Sequence, residues 1–199
     1  MDSLEQPRTN GTYKGSNLKK AGILNVIYND LPKNYSLECR KNIIIYANEV
    51  YHLGTKNKLE YARILCAKTA IPLIEKLFVQ DDNGKINLDE SIFMDIEDNY
   101  ISIVHNHTNG SFFSDYDISA IVRRKSIKDI FLASNGRLLR LAKSNKLSYN
   151  VGKSDLTRDI IDLATEADNY YYLLANCGNN EYLDIKKNYE NYGLIIERW

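Results

Sequence analysis

The chain has 199 residues, and its 26 Lys and Arg balance 26 Asp and Glu, so the formal net charge is zero. This length suits a single domain that buries a core without metal or disulfide staples. Balanced charge lacks the broad positive potential of nucleic-acid binders, so we do not expect nucleic acid as the main partner. A hydrophobic content of 44% excludes a mainly disordered protein.

Apolar runs in the sequence are too short for a membrane segment, since none approaches the ~20 residues that a helical span needs. The polar first twenty residues also lack the apolar core of a signal peptide. Cys39, Cys66 and Cys177 have neither the number nor the CxxC spacing of a disulfide framework or a Cys₄ zinc site. We therefore expect a cytoplasmic protein with reduced thiols and no membrane partner.

Residues 1–37 are predicted to form a polar N-terminal arm, within which Ile23 to Tyr28 is compatible with either strand or helix. Residues 38–199 are predicted to form one domain. Ser36 is a typical N-cap for a helix that runs to about His52, and Gly54 stands where a C′ residue belongs. The apolar residues of this helix recur at intervals of three and four.

The middle of the chain alternates strand and turn signals. Leu59 to Ala67, Leu73 to Val79 and Tyr100 to Val104 are predicted strands. The turn signal at residues 81–84 separates the second of them from a short acidic helix, predicted over Leu88 to Ile96.

The remaining elements complete a mixed α/β (α+β) domain. Ser114 and Asp117 form a capping-box pattern that opens a helix over Asp115 to Lys125. Three further strands are predicted, at Ile127 to Ala133, Arg137 to Ala142 and Leu194 to Arg198. Two C-terminal helices, predicted over Ser154 to Leu174 and Asn180 to Tyr192, occupy residues 154–192.

The His-x-His pattern at the end of the Tyr100 strand is the feature that carries chemistry. Strand residues i and i+2 project to the same face, so His105 and His107 can converge on one ion. Asp117, on the first turn of the next helix, is a candidate third ligand. Three protein ligands with a fourth position open to water are typical of a catalytic zinc site. Ser114 would then lie beside the metal and could donate a hydrogen bond to a developing oxyanion.

The stretch IVHNHTNGSFFSDYDI resembles the metal motif of the JAB/MPN (JAMM) superfamily, in which a Glu precedes His-x-His and Ser-x-x-Asp. The second His and the Ser are one residue closer here than in JAMM isopeptidases. The pattern is more similar to a JAB-like branch of bacterial and phage-associated proteins, written HNHPSG…FS..D. The downstream segment IKDIFLASNGRLLRL resembles that branch too, so the similarity covers about residues 58–145.

This resemblance implies a JAB/MPN fold, with a cytidine-deaminase-like mixed sheet flanked by helices. It implies a zinc hydrolase, or metalloprotease, that cleaves peptide or isopeptide bonds in protein substrates, including those near the C-termini of ubiquitin-like proteins. Carried over by residue, His105, His107 and Asp117 bind Zn²⁺, Ser114 orients the tetrahedral intermediate, and Glu60 shuttles the proton. Thr108 stands where this branch has Pro, which implies a less rigid loop.

Several alternatives remain open at this point. Glu49 and Glu75 rival Glu60 as the general base. The protein could instead be a binding protein on a JAB scaffold, such as a phage or mobile-element factor that sequesters a host protein. A DNA-repair-associated role like that of RadC-type proteins is a third hypothesis, which the balanced charge disfavours.

Overall fold

A computed structural model of the chain describes residues 23–144 and 179–199. Within these ranges the strands form one six-stranded sheet in the order β2-β1-β3-β4-β5-β6. Its strands are β1 (Tyr61–Cys66), β2 (Phe78–Val79), β3 (Ile101–Asn106), β4 (Ile127–Ser134), β5 (Arg137–Lys143) and β6 (Leu194–Arg198). The helices are α1 (Leu37–Asn57), α2 (Asp115–Arg123) and α3 (Asn179–Asn191), with a short 3₁₀ helix at Glu90–Phe93.

The predicted mixed α/β class is confirmed. The central strands β3 and β4 are parallel, and the other neighbouring pairs are antiparallel. A parallel pair needs a crossover connection, which α2 supplies here. The start of α2 therefore lies near the end of β3, which is the part of the sheet that positions the candidate site.

Two apolar clusters cover the two faces of the sheet. One contains the inward residues of α1 together with Val104 of β3. The other contains Ile103 of β3 together with Ile118 and Ile121 of α2. Because side chains alternate along a strand, His105 projects to the α2 face with Ile103, whereas Asn106 projects to the α1 face with Val104.

The prediction that Gly54 follows the end of the first helix is wrong. α1 continues through it to Asn57, and Lys58 takes the left-handed conformation at the C-cap, with φ 61°. Gly54 is needed inside the helix for a different reason, which is space. A Cβ atom at this position would lie 2.0 Å from Nδ2 of Asn106.

Two other predicted elements are shorter than expected. Only Phe78–Val79 of the predicted Leu73 to Val79 strand forms a ladder with β1. Leu73 donates its backbone N–H to the Ile64 carbonyl of β1 at 2.9 Å, and the Glu75 carbonyl accepts a hydrogen bond from the Arg63 side chain. The predicted helix over Leu88 to Ile96 is a single 3₁₀ turn, Glu90–Phe93.

Residues at the end of the predicted arm pack in the α1-facing cluster, where Leu24, Val26, Leu31 and Tyr35 are buried. Ile23 to Tyr28, for which strand and helix were both open, is neither. The predicted helix over Ser154 to Leu174 and Cys177 lie outside the described residues. Of the helices that the structure describes, none has the length and apolarity that crossing a membrane requires.

A buried cluster of charged and polar side chains joins the segment before α1 to four strands. Asp129 of β4 is fully buried and accepts hydrogen bonds from the hydroxyls of Tyr35 and Ser102. Arg140 of β5 lies 3.4 Å from the same carboxylate, and it also donates to Glu197 of β6 at 2.6 Å. The charge of Asp129 is therefore compensated from several elements at once.

We predict that Asp129→Ala lowers the free energy of unfolding by about 3–5 kcal/mol. The substitution leaves the buried Arg140 with Glu197 as its counterion, and it removes the acceptor of the buried Tyr35 and Ser102 hydroxyls. Urea denaturation of the two proteins measures this difference. Glu90→Ala is the matched control, since Glu90 also pairs with an arginine, Arg124, but its side chain is 71% exposed. The control should cost less than about 1 kcal/mol, and equal losses for the two variants would contradict the prediction.

Candidate metal centre

The two histidines of the His-x-His pattern lie at the end of β3 and converge as the strand period predicts. His105 is the penultimate residue of the strand and His107 follows it directly. Their Nε2 atoms are 3.2 Å apart, and both side chains are buried, with 6% and 7% of their surface exposed. Both imidazoles are therefore directed at one small volume on the α2 face of the sheet.

Asp117 brings a carboxylate to the same volume from the first turn of α2. Its Oδ1 lies 3.2 Å from Nε2 of His105, and its Oδ2 lies 3.7 Å from Nε2 of His107. The predicted capping box is confirmed: Ser114 Oγ accepts from the Asp117 N–H, and the Asp117 carboxylate accepts from the Ser114 N–H. The hydroxyl of Ser114 also donates to Asp117 Oδ2 at 2.8 Å.

His105, His107 and Asp117 thus form a buried group that could hold a metal ion, with ligand atoms all within 4.8 Å of one another. Two imidazole nitrogens and one carboxylate oxygen suit a divalent transition metal. The sequence prediction selected these same three residues, and the structure brings all of them together.

The charges within this group are strongly coupled. Burial lowers the pKa of His107 to about 4, and the neighbouring His105 acts in the same direction. Burial would also lower the pKa of His105, but the carboxylates of Asp117 and Glu60 outweigh it and raise that pKa. The two imidazoles hold the pKa of Asp117 well below its usual range, in spite of burial. At neutral pH, His107 is therefore neutral and Asp117 is ionised, as metal ligation requires.

Ser111 contacts the metal-binding group, and the sequence reasoning did not single it out. Its hydroxyl lies 2.8 Å from Nδ1 of His107, on the opposite side of the ring from the ligand atom. A hydrogen bond from Nδ1–H to this oxygen leaves the lone pair of Nε2 directed at the metal position. The Ser134 hydroxyl donates a hydrogen bond to the Ser111 carbonyl at 2.8 Å and so holds this loop in place. A serine just after a Gly in the loop behind His-x-His was the available sequence signal.

Glu60 lies just before β1, on the same face as the histidines. Ala62 pairs with His105 in the antiparallel register, so continuing that register by two residues places Glu60 opposite His107. Burial raises the pKa of Glu60, and His105 and a hydrogen bond from the Thr108 backbone N–H partly offset that effect. Glu60 therefore lies close enough to His105 and Asp117 for their charges to shift its pKa.

The two rival glutamates lie elsewhere. Glu49 forms a two-pronged ion pair with Arg63, with N–O distances of 2.6 and 3.0 Å. Glu75 is exposed, on the segment between β1 and β2. Neither of them contributes to the pKa shifts of His105, His107 or Asp117.

A cavity of about 220 Å³ opens next to His107, between the end of α1 and the loop that follows β3. Its lining is mostly polar and includes Thr55, Lys58, Asn109 and Asn135. A molecule in this cavity would contact a side chain of the metal-binding group.

Comparison with known proteins adds no relative: no protein-family model, no curated protein and no solved structure matches this chain. The function of the chain is therefore inferred from the residues of the site and from their contacts.

We predict that Ser111→Ala weakens the binding of Zn²⁺, used as the probe ion, by about 10- to 100-fold, because His107 loses the partner that fixes its ring and tautomer. Competition with a chromophoric chelator measures the affinity. Ser91→Ala, at an exposed serine of the 3₁₀ helix, is the control and should bind as the unmodified protein does. Unchanged affinity in Ser111→Ala would show that the Ser111 hydroxyl does not orient His107 for metal binding.

The low pKa of His107 predicts acid sensitivity of the metal-free protein. Between pH 6.5 and about 4 the unfolded chain protonates this residue and the folded chain does not, so stability falls as the pH falls. His105, whose pKa is raised, and Asp117, whose pKa is lowered, are present both in the unmodified protein and in the His107→Ala variant. Glu60, whose pKa is raised, has the opposite effect, since it stabilises the folded chain as the pH falls. It is present both in the unmodified protein and in the His107→Ala variant.

The measurement is urea unfolding of the chelator-treated protein at pH 6.5 and pH 4. Relative to His107→Ala, the unmodified protein should lose roughly 1–3 kcal/mol more over this interval. His52→Ala removes an exposed histidine of α1 and should retain the full loss. Parallel pH profiles for His107→Ala and the unmodified protein would refute the prediction.

Proposed function

We propose that this chain is a zinc-dependent hydrolase of the JAB/MPN type that cleaves a peptide or isopeptide bond. The single observation that carries the proposal is the arrangement of the site: two imidazoles and one carboxylate share a buried volume, and the strand register places Glu60 opposite His107. A binding surface alone does not require a buried acid whose charge is coupled to a set of metal ligands.

Zinc fits the three residues. Ligand atoms about 2.0–2.1 Å from a tetrahedral zinc ion lie about 3.3 Å from one another. The two Nε2 atoms are 3.2 Å apart, and Oδ1 of Asp117 lies 3.2 Å from Nε2 of His105. One ligand atom from each of the three residues lies within 4.8 Å of the others. Three protein ligands also leave a fourth position, as in catalytic rather than structural zinc sites. When bound at such a site, zinc lowers the pKa of a coordinated water and polarises a carbonyl.

Glu60 is the general base in this proposal. Its raised pKa brings the carboxylate closer to the neutral range, in which a group can accept a proton from water and then release it to the leaving amine. The backbone N–H of Thr108 lies beside this carboxylate and partly offsets the effect of burial on its pKa. The residue thus has both the position and the proton affinity that the role requires.

Ser114 has a positioning role in the resting site. Its one hydroxyl proton is directed at Asp117 Oδ2, which holds this carboxylate toward the histidines. A hydrogen bond to a developing oxyanion on the substrate, as the resemblance implies, requires the hydroxyl to rotate away from Asp117. Ser114→Ala should therefore affect both metal affinity and turnover.

The proposed substrates are proteins or peptides, with ubiquitin-like proteins as the class that the JAB/MPN resemblance suggests. The cavity next to His107 has room for a side chain or a short stretch of backbone, and its lining offers amide and hydroxyl groups that can bind peptide groups.

We predict that Glu60→Gln lowers the turnover of a peptide- or isopeptide-linked substrate by about 10²- to 10⁴-fold, because the amide cannot accept the proton. Zinc stoichiometry should remain one per chain, since Glu60 is not a ligand. The assay is cleavage of a panel of ubiquitin-like conjugates by the zinc-loaded protein, with metal content measured on the same samples. Glu75→Gln, at an exposed glutamate, is the matched control and should keep full activity.

Absence of stoichiometric zinc, or cleavage that survives His107→Ala, would contradict the proposal. If zinc binds and no panel member is cleaved, the hypothesis of a JAB-scaffold binding protein takes precedence. In that case a Glu60→Gln/His105→Ala double variant should keep the full biological effect.

A further inference from the structure

Asn106 separates the two metal-binding histidines in sequence, and its side chain points to the opposite face of the sheet. It is buried, with 1% of its surface exposed. Its Oδ1 accepts a hydrogen bond from the Tyr61 backbone N–H at 2.8 Å, and its Nδ2 donates to the Leu59 carbonyl at 3.3 Å. One amide therefore binds the backbone on both sides of Glu60.

The other side of this amide is closed by α1. Gly54 packs so closely against it that a Cβ would lie 2.0 Å from Nδ2 and 2.7 Å from Cγ of Asn106. A side chain at residue 54 would have to displace the amide, because the opposing atoms are at the short, buried end of the asparagine. The helix thus holds Asn106 in the orientation that reaches both backbone groups.

The same segment also approaches the Glu60 carboxylate. The backbone N–H of Thr108, two residues after Asn106, lies close enough to this carboxylate to lower its pKa. Residues 105–108 therefore supply two of the proposed metal ligands, the hydrogen bonds that hold the backbone around Glu60, and a backbone N–H beside its carboxylate.

We infer that Asn106 is the positioning residue of Glu60, and that the close packing of Gly54 keeps the Asn106 amide in place. Asn106 binds no metal and contacts no reacting atom; it acts by fixing where the Glu60 carboxylate lies relative to His105 and His107. The catalytic consequence of this inference rests on the proposed function, whereas its geometric part does not.

The test uses the Thr108 backbone amide as a reporter, in ¹⁵N-labelled full-length protein with and without Zn²⁺. A hydrogen bond to a carboxylate gives this amide proton a distinctive chemical shift, and Glu60→Gln supplies the reference shift without the carboxylate. We expect Asn106→Ala to move the Thr108 resonance toward that reference. Zinc affinity, measured by chelator competition, should stay unchanged.

A double-variant cycle separates positioning from mere proximity to the reporter. If Asn106 acts through Glu60, then Asn106→Ala produces no further shift of the Thr108 amide in the Glu60→Gln background. If the substitution disturbs Thr108 directly, the shift persists there. Where cleavage is detected, Asn106→Ala should lower kcat about 10- to 100-fold with KM unchanged, and should add nothing to Glu60→Gln.

Gly54→Ala provides an orthogonal perturbation, since it changes no group that touches Glu60. We expect it to move the Thr108 amide as Asn106→Ala does, and the Gly54→Ala/Asn106→Ala pair to match Asn106→Ala alone. Asn48→Ala is the matched control. Asn48 also accepts from one backbone N–H, at Leu24, and donates to one carbonyl, at Ile44, but it lies on α1 away from the site.

A Thr108 amide that does not move in Asn106→Ala overturns the inference, as does a shift that persists in the Glu60→Gln background. If either substitution prevents folding, the other still decides the question. A chain that binds no zinc or cleaves nothing would count against the proposed function alone, because the reporter measurement also works in the metal-free protein.

Discussion

The site depends on the burial of the Asp117 carboxylate against two imidazoles. A buried carboxylate is costly unless charges and hydrogen-bond donors compensate it. Here His105 and His107 lower its pKa, and the backbone N–H and hydroxyl of Ser114 complete the compensation. The same contacts fix the start of α2, so the capping box and the metal-binding group are one structure. Removing the carboxylate would affect helix geometry and metal affinity together.

Sequence reasoning succeeded where the rules are local. The period of two along a strand sufficed to place His105 and His107 on one face, and the spacing of three between Ser114 and Asp117 sufficed for the capping box. Glu60 came from the family resemblance and not from periodicity. Its place near the histidines depends on the register of β1 on β3, which no local pattern determines.

The features that the sequence did not reveal are contacts between distant segments. Gly54 has the local signature of a helix end, and only the approach of Asn106, 52 positions later, explains why a glycine lies inside α1. The ionic cluster around Asp129 likewise draws Tyr35, Arg140 and Glu197 from separate elements. Each of these residues looks ordinary in its own neighbourhood, because the constraint on it lies in another part of the chain.

Thr108 stands where the JAB-like pattern that the sequence resembles has proline, and the difference changes what the backbone can do. A proline at this position would stiffen the turn after the second histidine, but it has no N–H. The N–H of Thr108 lies beside Glu60 and lowers the pKa of that carboxylate. Farther along the same loop, Asn109 Oδ1 accepts a hydrogen bond from the Ser111 N–H. A threonine here therefore exchanges the fixed φ of proline for a backbone donor beside the proposed general base.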